Sequence, residues 1–345
     1  MYGVMKMEHN IMFLNNKAME KTGVLDMHAA IEDVKNAYIL NQKQDVINPG
    51  KCVLRWGKTV EDENVLGRIN AMPGYIGGDY NIAGIKWIGS GPMNYKKGLP
   101  RASVTVILND PETKLPVCVA DGTAISTVRT GASGGVAIEL LAKSNAEVMT
   151  ICGAGAQAHT QLEAALISRP TLKKVYVYDI VPANAERFIS INEKKYPNII
   201  FCNTNDIESA ARESDIIDCV TLATKPFIKG NWLKKGALVM NMSDYEVENE
   251  CVELADKVVV DFWESIKHRM ISTVALMWKD GLFKDEDLHA ELGEILLHKK
   301  SPRESDDEII YFNAVGAGIL DIAVAARCYQ RARRENIGIT VPFWE

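Results

Sequence analysis

The order of apolar and polar positions divides this 345-residue chain into two regions of different rhythm. In the first, strand-like runs follow one another at 11–14, 52–56, 65–72, 83–88, 104–108 and 117–119. Pro and Gly punctuation such as MPGYIGGD and GPMNYKKGLP separates them. Successive strands with few helices between them predict an antiparallel or mixed sheet, so this part reads as α+β. Helical spacing of apolar residues predicts helices over 27–40 and 126–143. From residue 147 the rhythm changes to strand and helix in alternation, with strands expected at 147–152, 174–179, 198–202, 215–221, 237–242 and 257–261. Six such strands fill a doubly wound parallel sheet. After a charged stretch, HKKSPRESDDE, residues 309–336 read as one long helix, apolar on one face and running to the C-terminus. A helix of that kind needs a partner, and the first region is the available one. The predicted domains are therefore a discontinuous α+β domain, 1–130 with 312–345, and a Rossmann-type α/β domain, 131–311.

The segment EVMTICGAGAQA, at 147–158, organises the second domain. An apolar run enters a Gly153-x-Gly155-x-x-Ala158 turn and leaves into a helical pattern, HTQLEAALIS, which is the order of a dinucleotide-binding βα unit. Gly153 permits the tight turn, Gly155 lets a pyrophosphate approach the backbone, and Ala158 lets the helix sit close on its strand. Unpaired amides at the helix start then meet the phosphates. The next run, KVYVYD, ends in Asp179 about 20 residues beyond the turn, where an acid accepts hydrogen bonds from the adenosine ribose. A carboxylate repels a 2′-phosphate, and Ile180 and Val181 offer no arginine to bind one, so the expected cofactor is NAD rather than NADP. Ligand contacts are expected at the carboxyl ends of the strands: Gly153, Gly155, Ala156, Gln157, Asp179, Thr221 to Thr224, and Asn241 to Asp244.

Composition changes the picture little. The chain is 47% hydrophobic and 24% charged with net charge −6, which gives no case for nucleic acid as a partner. Seven cysteines show no C-x-x-C pair and no histidine at ligand spacing, so no metal is expected and the thiols read as reduced core residues of a cytoplasmic protein. No apolar run approaches the roughly 20 residues of a membrane span, and no secretory signal is visible at the N-terminus.

The local cations matter more. Lys51, Arg55, Lys86, Arg101 and Arg129 fall near the ends of first-domain strands or in the helix that follows. Each is either a solvated surface charge or a ligand for an anion. Lys86 and Arg129 stand among small or apolar neighbours, where an unpaired charge is costly and a bound carboxylate would compensate it. Asp244, just past the strand GALVMNM, is either a capping or turn residue or an acid/base group. Glu246, Glu248 and Glu250 read as surface residues, and His159 as a packing or capping histidine. Asn313 and Gly316 either approach a nicotinamide or make a turn.

Taken together, GIKWIGS, LPRASVTVILNDPET, ISTVRTGASGG, ICGAGAQAHTQLEA, HAELGEIL and DDEIIYFNAVGAGILDIAVA resemble the ornithine cyclodeaminase and mu-crystallin family over nearly the whole chain. The segments KWIGS, PRAS, NDPET and FNAVG are similar to the branch that oxidises an N-substituted glutamate with NAD. That branch releases 2-oxoglutarate and 2,3-diaminopropionate, a building block of siderophores. The resemblance implies a homodimer and an amino-acid substrate with several carboxylates. It matches Lys86 and Arg129 to substrate-binding residues, Lys51 or Arg55 to an arginine of the cyclodeaminases, and Asp244 to their acid/base aspartate. Two departures are visible: Met242 and Ser243 stand where glycines usually precede that aspartate, and Asn313 replaces an aspartate. The rival activities are ornithine cyclodeamination to proline with NAD recycled, imine or opine reduction, and a non-enzymatic role holding a dinucleotide and a small hydrophobic ligand.

Overall fold

The computed structural model describes residues 9–56, 67–242 and 244–344. Val65 and Leu66 of one expected strand, and Ser243, lie outside them. In chain order the first elements are β1 (His9–Leu14), α1 (Asn16–Lys21), α2 (Met27–Gln42), β2 (Val46–Ile47), β3 (Cys52–Trp56), β4 (Gly67–Ile76), β5 (Ile82–Ser90), β6 (Ala102–Asn109), β7 (Pro116–Asp121) and α3 (Thr123–Leu141). There follow β8 (Val148–Cys152), α4 (Ala156–Ser168), β9 (Lys174–Tyr178), α5 (Pro182–Lys195), β10 (Ile200–Asn203), α6 (Ile207–Glu213), β11 (Ile216–Cys219), β12 (Leu238–Asn241), α7 (Glu250–Glu253) and β13 (Lys257–Val260). The chain ends with α8 (Trp263–Arg269), α9 (Thr273–Lys279), β14 (Ala290–Glu291), α10 (Leu292–Leu296), β15 (Ile310–Asn313), α11 (Gly318–Glu335) and β16 (Ile339–Trp344).

Two compact units result. One comprises Met1–Asp26, Lys43–Arg129 and Ala317–Glu345, and the other Met27–Gln42 and Thr130–Gly316. Discontinuity of the first unit was expected, but α2 groups with the second. Its buried face explains why: Tyr38 bonds Ser133 of α3 at 2.5 Å and stacks on Phe262 at 5.3 Å, both in the second unit.

The first unit is built on an eight-stranded mixed sheet ordered β16-β1-β7-β6-β5-β4-β2, with β3 also on β4. Register assigns its faces, because directly paired residues point the same way. Met72, Lys86, Val106 and Ala120 pair in a row, and α11 packs on β4, β5 and β6. Gly318 makes that packing close, since a Cβ there would stand 2.6 Å from the Met72 carbonyl oxygen. The opposite face carries Ile85, Ile107, Val119 and Phe13 in register, with Trp87, Leu54, Ile339 and Val341 on the same side. Of these, Phe13, Leu54, Trp87, Ile339 and Val341 are exposed.

The second unit has an eight-stranded sheet, β10-β9-β8-β11-β12-β15-β13-β14, parallel at every pairing. Strands β8, β11 and β12 are almost wholly buried, as the near-continuous VMTIC, IIDC and LVMN runs require of a sheet covered on both faces. Two strands beyond the six expected, β14 and β15, complete it. The long C-terminal helix is thereby corrected at both ends: residues 310–313 form β15 between β12 and β13, and 339–344 form β16 against β1. The β-branched and aromatic run IYFN favours a strand, and Gly316 at φ +69° breaks the pattern before α11 begins. Of the cysteines, five are buried and all seven are free, but Cys52 is exposed and Cys202 only half-buried.

Candidate functional site

In the second unit the glycine turn follows β8, next to β11, where the strand order reverses direction. This is the switch point at which doubly wound sheets bind ligands. Gly153 adopts φ +94°, and a Cβ on it would stand 2.9 Å from the Val220 carbonyl oxygen, so the turn closes tightly on the end of β11. Gly155 is the N-cap of α4 with no side-chain cap, and nothing lies within 4 Å of where its Cβ would be. The space in front of the helix amides is therefore open, and the buried Gln157 Oε1 in the first helical turn lacks a hydrogen-bond partner. Open amides at a positive helix end fit a pyrophosphate, and hence NAD. Ala156, the first residue of α4, is exposed on that edge.

Asp179 stands just past β9 and is tied to the same turn. Its Oδ2 accepts from Ala154 N at 2.8 Å, and its Oδ1 from Val181 N at 2.8 Å and Asn184 Nδ2 at 3.2 Å. A carboxylate oxygen takes about two bonds, so Oδ1 is filled and Oδ2 keeps one position for a ribose hydroxyl. His159 packs on the Phe188 ring at 4.6 Å and bonds Asn192 at 3.0 Å, a packing role.

Beyond β11 and β12 lies a buried polar network that the linear pattern did not reveal. Glu246 is fully buried, not a surface residue: its Oε1 accepts from Thr221 N and Oγ1 at 2.6 and 2.7 Å, and its Oε2 from Asn241 Nδ2 at 2.7 Å. Burial raises its carboxyl above the usual range, while the Thr221 and Asn241 donors oppose the rise. Tyr311 donates to Asn241 Oδ1 at 2.9 Å, and Asn313 Nδ2 to the Asn241 carbonyl at 2.6 Å. Asn313 is neither a turn residue nor an open one: it ends β15, fully buried, and its Oδ1 accepts from Ser272 at 2.8 Å. Its side chain is thus committed to the sheet edge, and Thr221 likewise spends its hydroxyl on Glu246.

Two further acids of this unit lie near that network. Asp244 lies in a bend just past β12 and pairs with Arg269 at 2.5 Å. Asp261 accepts from the amides of Val315 and Gly316 at 3.0 and 2.6 Å, and burial pushes it up to about 7 against those bonds. Gly316 therefore serves as a turn whose amide is anchored.

The first unit holds a separate cluster. Lys86 on β5 is 2% exposed and Asp321, in the first turn of α11, 0%. Lys86 Nζ donates to Asp321 Oδ1 at 2.8 Å and to Ser126 Oγ of α3 at 2.8 Å. Arg129 Nε lies 3.2 Å from Asp321 Oδ2, a charge contact rather than a hydrogen bond, since neither atom has a hydrogen-bond partner. Burial lowers Lys86 to about 8; Asp321 opposes the fall and Arg129 adds to it. The cluster carries two cations and one anion, a surplus of one positive charge suited to a carboxylate. The other expected cations are less enclosed. Arg55 pairs in register with Arg68 on the sheet face that carries Lys86, but is exposed. Lys51 is half-buried just before β3, and Arg101 is exposed just before β6. Asp321, 235 residues from Lys86 in the chain, joins the Lys86 cluster directly.

Among the described residues no group of three or more His, Cys, Asp or Glu is placed to hold a metal, and no helix is long and apolar enough to cross a membrane.

Residues 9–336 match the profile of the ornithine cyclodeaminase/mu-crystallin family. An N-((2S)-2-amino-2-carboxyethyl)-L-glutamate dehydrogenase of Staphylococcus aureus is 36% identical over 97% of this chain and 99% of its own. An alanine dehydrogenase of Archaeoglobus fulgidus is 34% identical over 94% and 97%. Among solved structures, an archaeal alanine dehydrogenase dimer with bound NAD has a TM-score of 0.87 at 32% identity, covering 97% of this chain and 100% of that one. A Thermococcus litoralis Δ1-pyrroline-2-carboxylate reductase in complex with NADH and L-proline also has a TM-score of 0.87 at 32% identity, covering 96% and 100%.

Proposed function

The chain belongs to the ornithine cyclodeaminase/mu-crystallin family, and on that premise we propose that it cleaves N-(2-amino-2-carboxyethyl)-L-glutamate oxidatively to 2-oxoglutarate and L-2,3-diaminopropionate. It is an NAD-dependent oxidoreductase acting on a carbon–nitrogen centre. The finer reaction is supported by one observation above all: a buried cation pair with a surplus positive charge, in a chain alike end to end to the Staphylococcus aureus enzyme.

When bound, NAD supplies the acceptor for the hydride that leaves the glutamate α-carbon. Gly153, Gly155, Ala156 and Gln157 present the open turn for its pyrophosphate, and Asp179 sets the ribose edge of that turn. Lys86 and Arg129 bind a substrate carboxylate, with Lys51, Arg55 and Arg101 as further cations for a molecule that carries three. Loss of the α-hydrogen as hydride turns the secondary amine into an imine, and one water splits it into keto acid and primary amine. NAD, water and the amine are consumed; NADH, one proton and the two products are released. Lys86, near neutrality in its titration, and Asp244, oriented by Arg269, are the groups assigned to move protons in that hydrolysis. Thr221, Asn313 and Gly316 shape the cofactor edge through Glu246, Asn241 and Asp261.

The exposed apolar face of the first sheet, with Phe13, Leu54, Trp87, Ile339 and Val341, is proposed to pair two chains as a homodimer. The test uses the purified protein with NAD and the aminocarboxyethyl glutamate. NADH should rise in step with 2-oxoglutarate and 2,3-diaminopropionate, and the same preparation should sediment as two chains. Proline and ammonia from ornithine with no net NADH would instead make it a cyclodeaminase, and NADH consumption with a keto acid and an amine would make it a reductase. 2,3-Diaminopropionate made in this way would supply a precursor for siderophores or related natural products.

A further inference from the structure

Nothing in the linear pattern singles out Asp321, yet among the described residues its carboxylate is the one that meets both Lys86 and Arg129. We infer that Asp321 is a positioning residue: it fixes the Lys86 ammonium and the Arg129 guanidinium in place and keeps Lys86 charged, without itself touching substrate. The inference rests on the substrate-binding role proposed for those two cations.

The placement begins with Gly318. Its lack of a side chain lets the start of α11 lie against the Met72 carbonyl of β4, and Asp321, one turn later, then reaches Lys86 on the neighbouring strand. Asp321 also stands in the first turn of an 18-residue helix, at the positive end of its dipole. Its two oxygens are divided between the cations, Oδ1 to Lys86 at 2.8 Å and Oδ2 to Arg129 at 3.2 Å. Among the described residues the surroundings of Lys86 supply no substitute. α3 presents Ser126, a neutral acceptor, and Arg129, a like charge; β4 and β6 place Met72 and Val106 beside it in register. Without the carboxylate, two buried cations face one another, and the one that can shed a proton is Lys86. A neutral amine there binds a substrate carboxylate poorly, so Asp321 governs binding through the charge of its neighbour.

The sign follows directly. Lys86 is already displaced downward by burial and by Arg129, and Asp321 is what holds it up. Activity that needs charged Lys86 is present at low pH and falls as pH rises through its titration, so removing the anion moves that fall to lower pH.

The experiment titrates Lys86 directly in the full chain labelled with 13Cε-lysine, its resonance assigned with Lys86→Arg, alongside kcat and KM across pH. In Asp321→Asn the Lys86 titration should drop by about one unit or more. The alkaline limb of kcat/KM should move with it, and at pH 8 the loss should be about fivefold or more, carried mainly by KM. Asp321→Glu keeps the charge on a longer arm; its Lys86 titration should stay within about half a unit of wild type while KM rises. A folded Asp321→Asn with an unmoved Lys86 titration, even if it melts earlier, overturns the inference and leaves Asp321 a packing residue. If Asp321→Asn does not fold, an unchanged KM in Asp321→Glu overturns the positioning role. Should wild type turn over none of the amines, the proposed reaction fails while the Lys86 titration still decides this point.

Discussion

Each unit buries acid in its interior, and the two solutions differ. Asp321 lies between Lys86 and Arg129, with both cations within 3.2 Å. Asp218, in the middle of the parallel sheet, is equally buried, but neither of its carboxylate oxygens has a hydrogen-bond partner. Burial, reinforced by Glu246, raises Asp218 well above the carboxylate range, which favours its protonated form. Burial alone therefore does not make an anion site. A buried carboxyl stays charged where cations were folded in beside it, and otherwise keeps its proton.

The comparison is broken most severely by removing the cations. Lys86→Ala and Arg129→Ala should each lower kcat/KM by about a hundredfold or more, since truncating one member of a buried charge group costs roughly 3–5 kcal/mol. Steady-state NADH formation measures this, and unchanged turnover would refute the site.

The next largest effect concerns stability and separates the two acids. Asp321→Ala strands two buried cations and should destabilise by about 3–5 kcal/mol in urea unfolding. Asp218→Asn replaces a neutral group with a neutral group and should change stability by less than about 1 kcal/mol at pH 5. A carboxyl raised on folding contributes stability that is complete below its unfolded value, about 3.9, and is lost as pH rises toward its folded one. Relative to Asp218→Asn, wild type should therefore weaken as pH climbs from 5 to 9; parallel pH curves would show that Asp218 is charged after all.

The smallest effect sharpens the picture at the cofactor turn, where the acid is neither cation-paired nor buried. Asp179→Ser removes an acceptor of Ala154 N and should weaken NAD by about tenfold while relaxing discrimination against NADP. Fluorescence titration with both nucleotides tests this, and an unaltered preference would refute the ribose contact.

Legibility in the sequence tracks how local each signal is. The strand, glycine turn, helix and terminal acid from residue 147 to 179 lie in one βα unit, and the structure has them in that order as β8, α4 and β9. The strands at 52–56, 83–88 and 104–108 were marked by their punctuation and appear as β3, β5 and β6. Where two elements share an unbroken apolar stretch, local reading failed: 309–336 looked like one helix, although IYFN completes a sheet begun far upstream at β12. Glu246 failed for the opposite reason. Charge along YEVENE suggests solvent, and only the return of Thr221 and Asn241 gives its carboxylate buried partners.

By itself the sequence determined the two rhythms, the dinucleotide turn and the two cations embedded in apolar surroundings, because each depends on spacing within a few residues and on what a side chain tolerates next to it. The tertiary structure alone decided which acid meets those cations, that Asp244 answers to Arg269, and that α2 joins the second unit. A charge pair depends on distance in space, and residues as far apart as 86 and 321 acquire that distance only when a helix settles on a sheet.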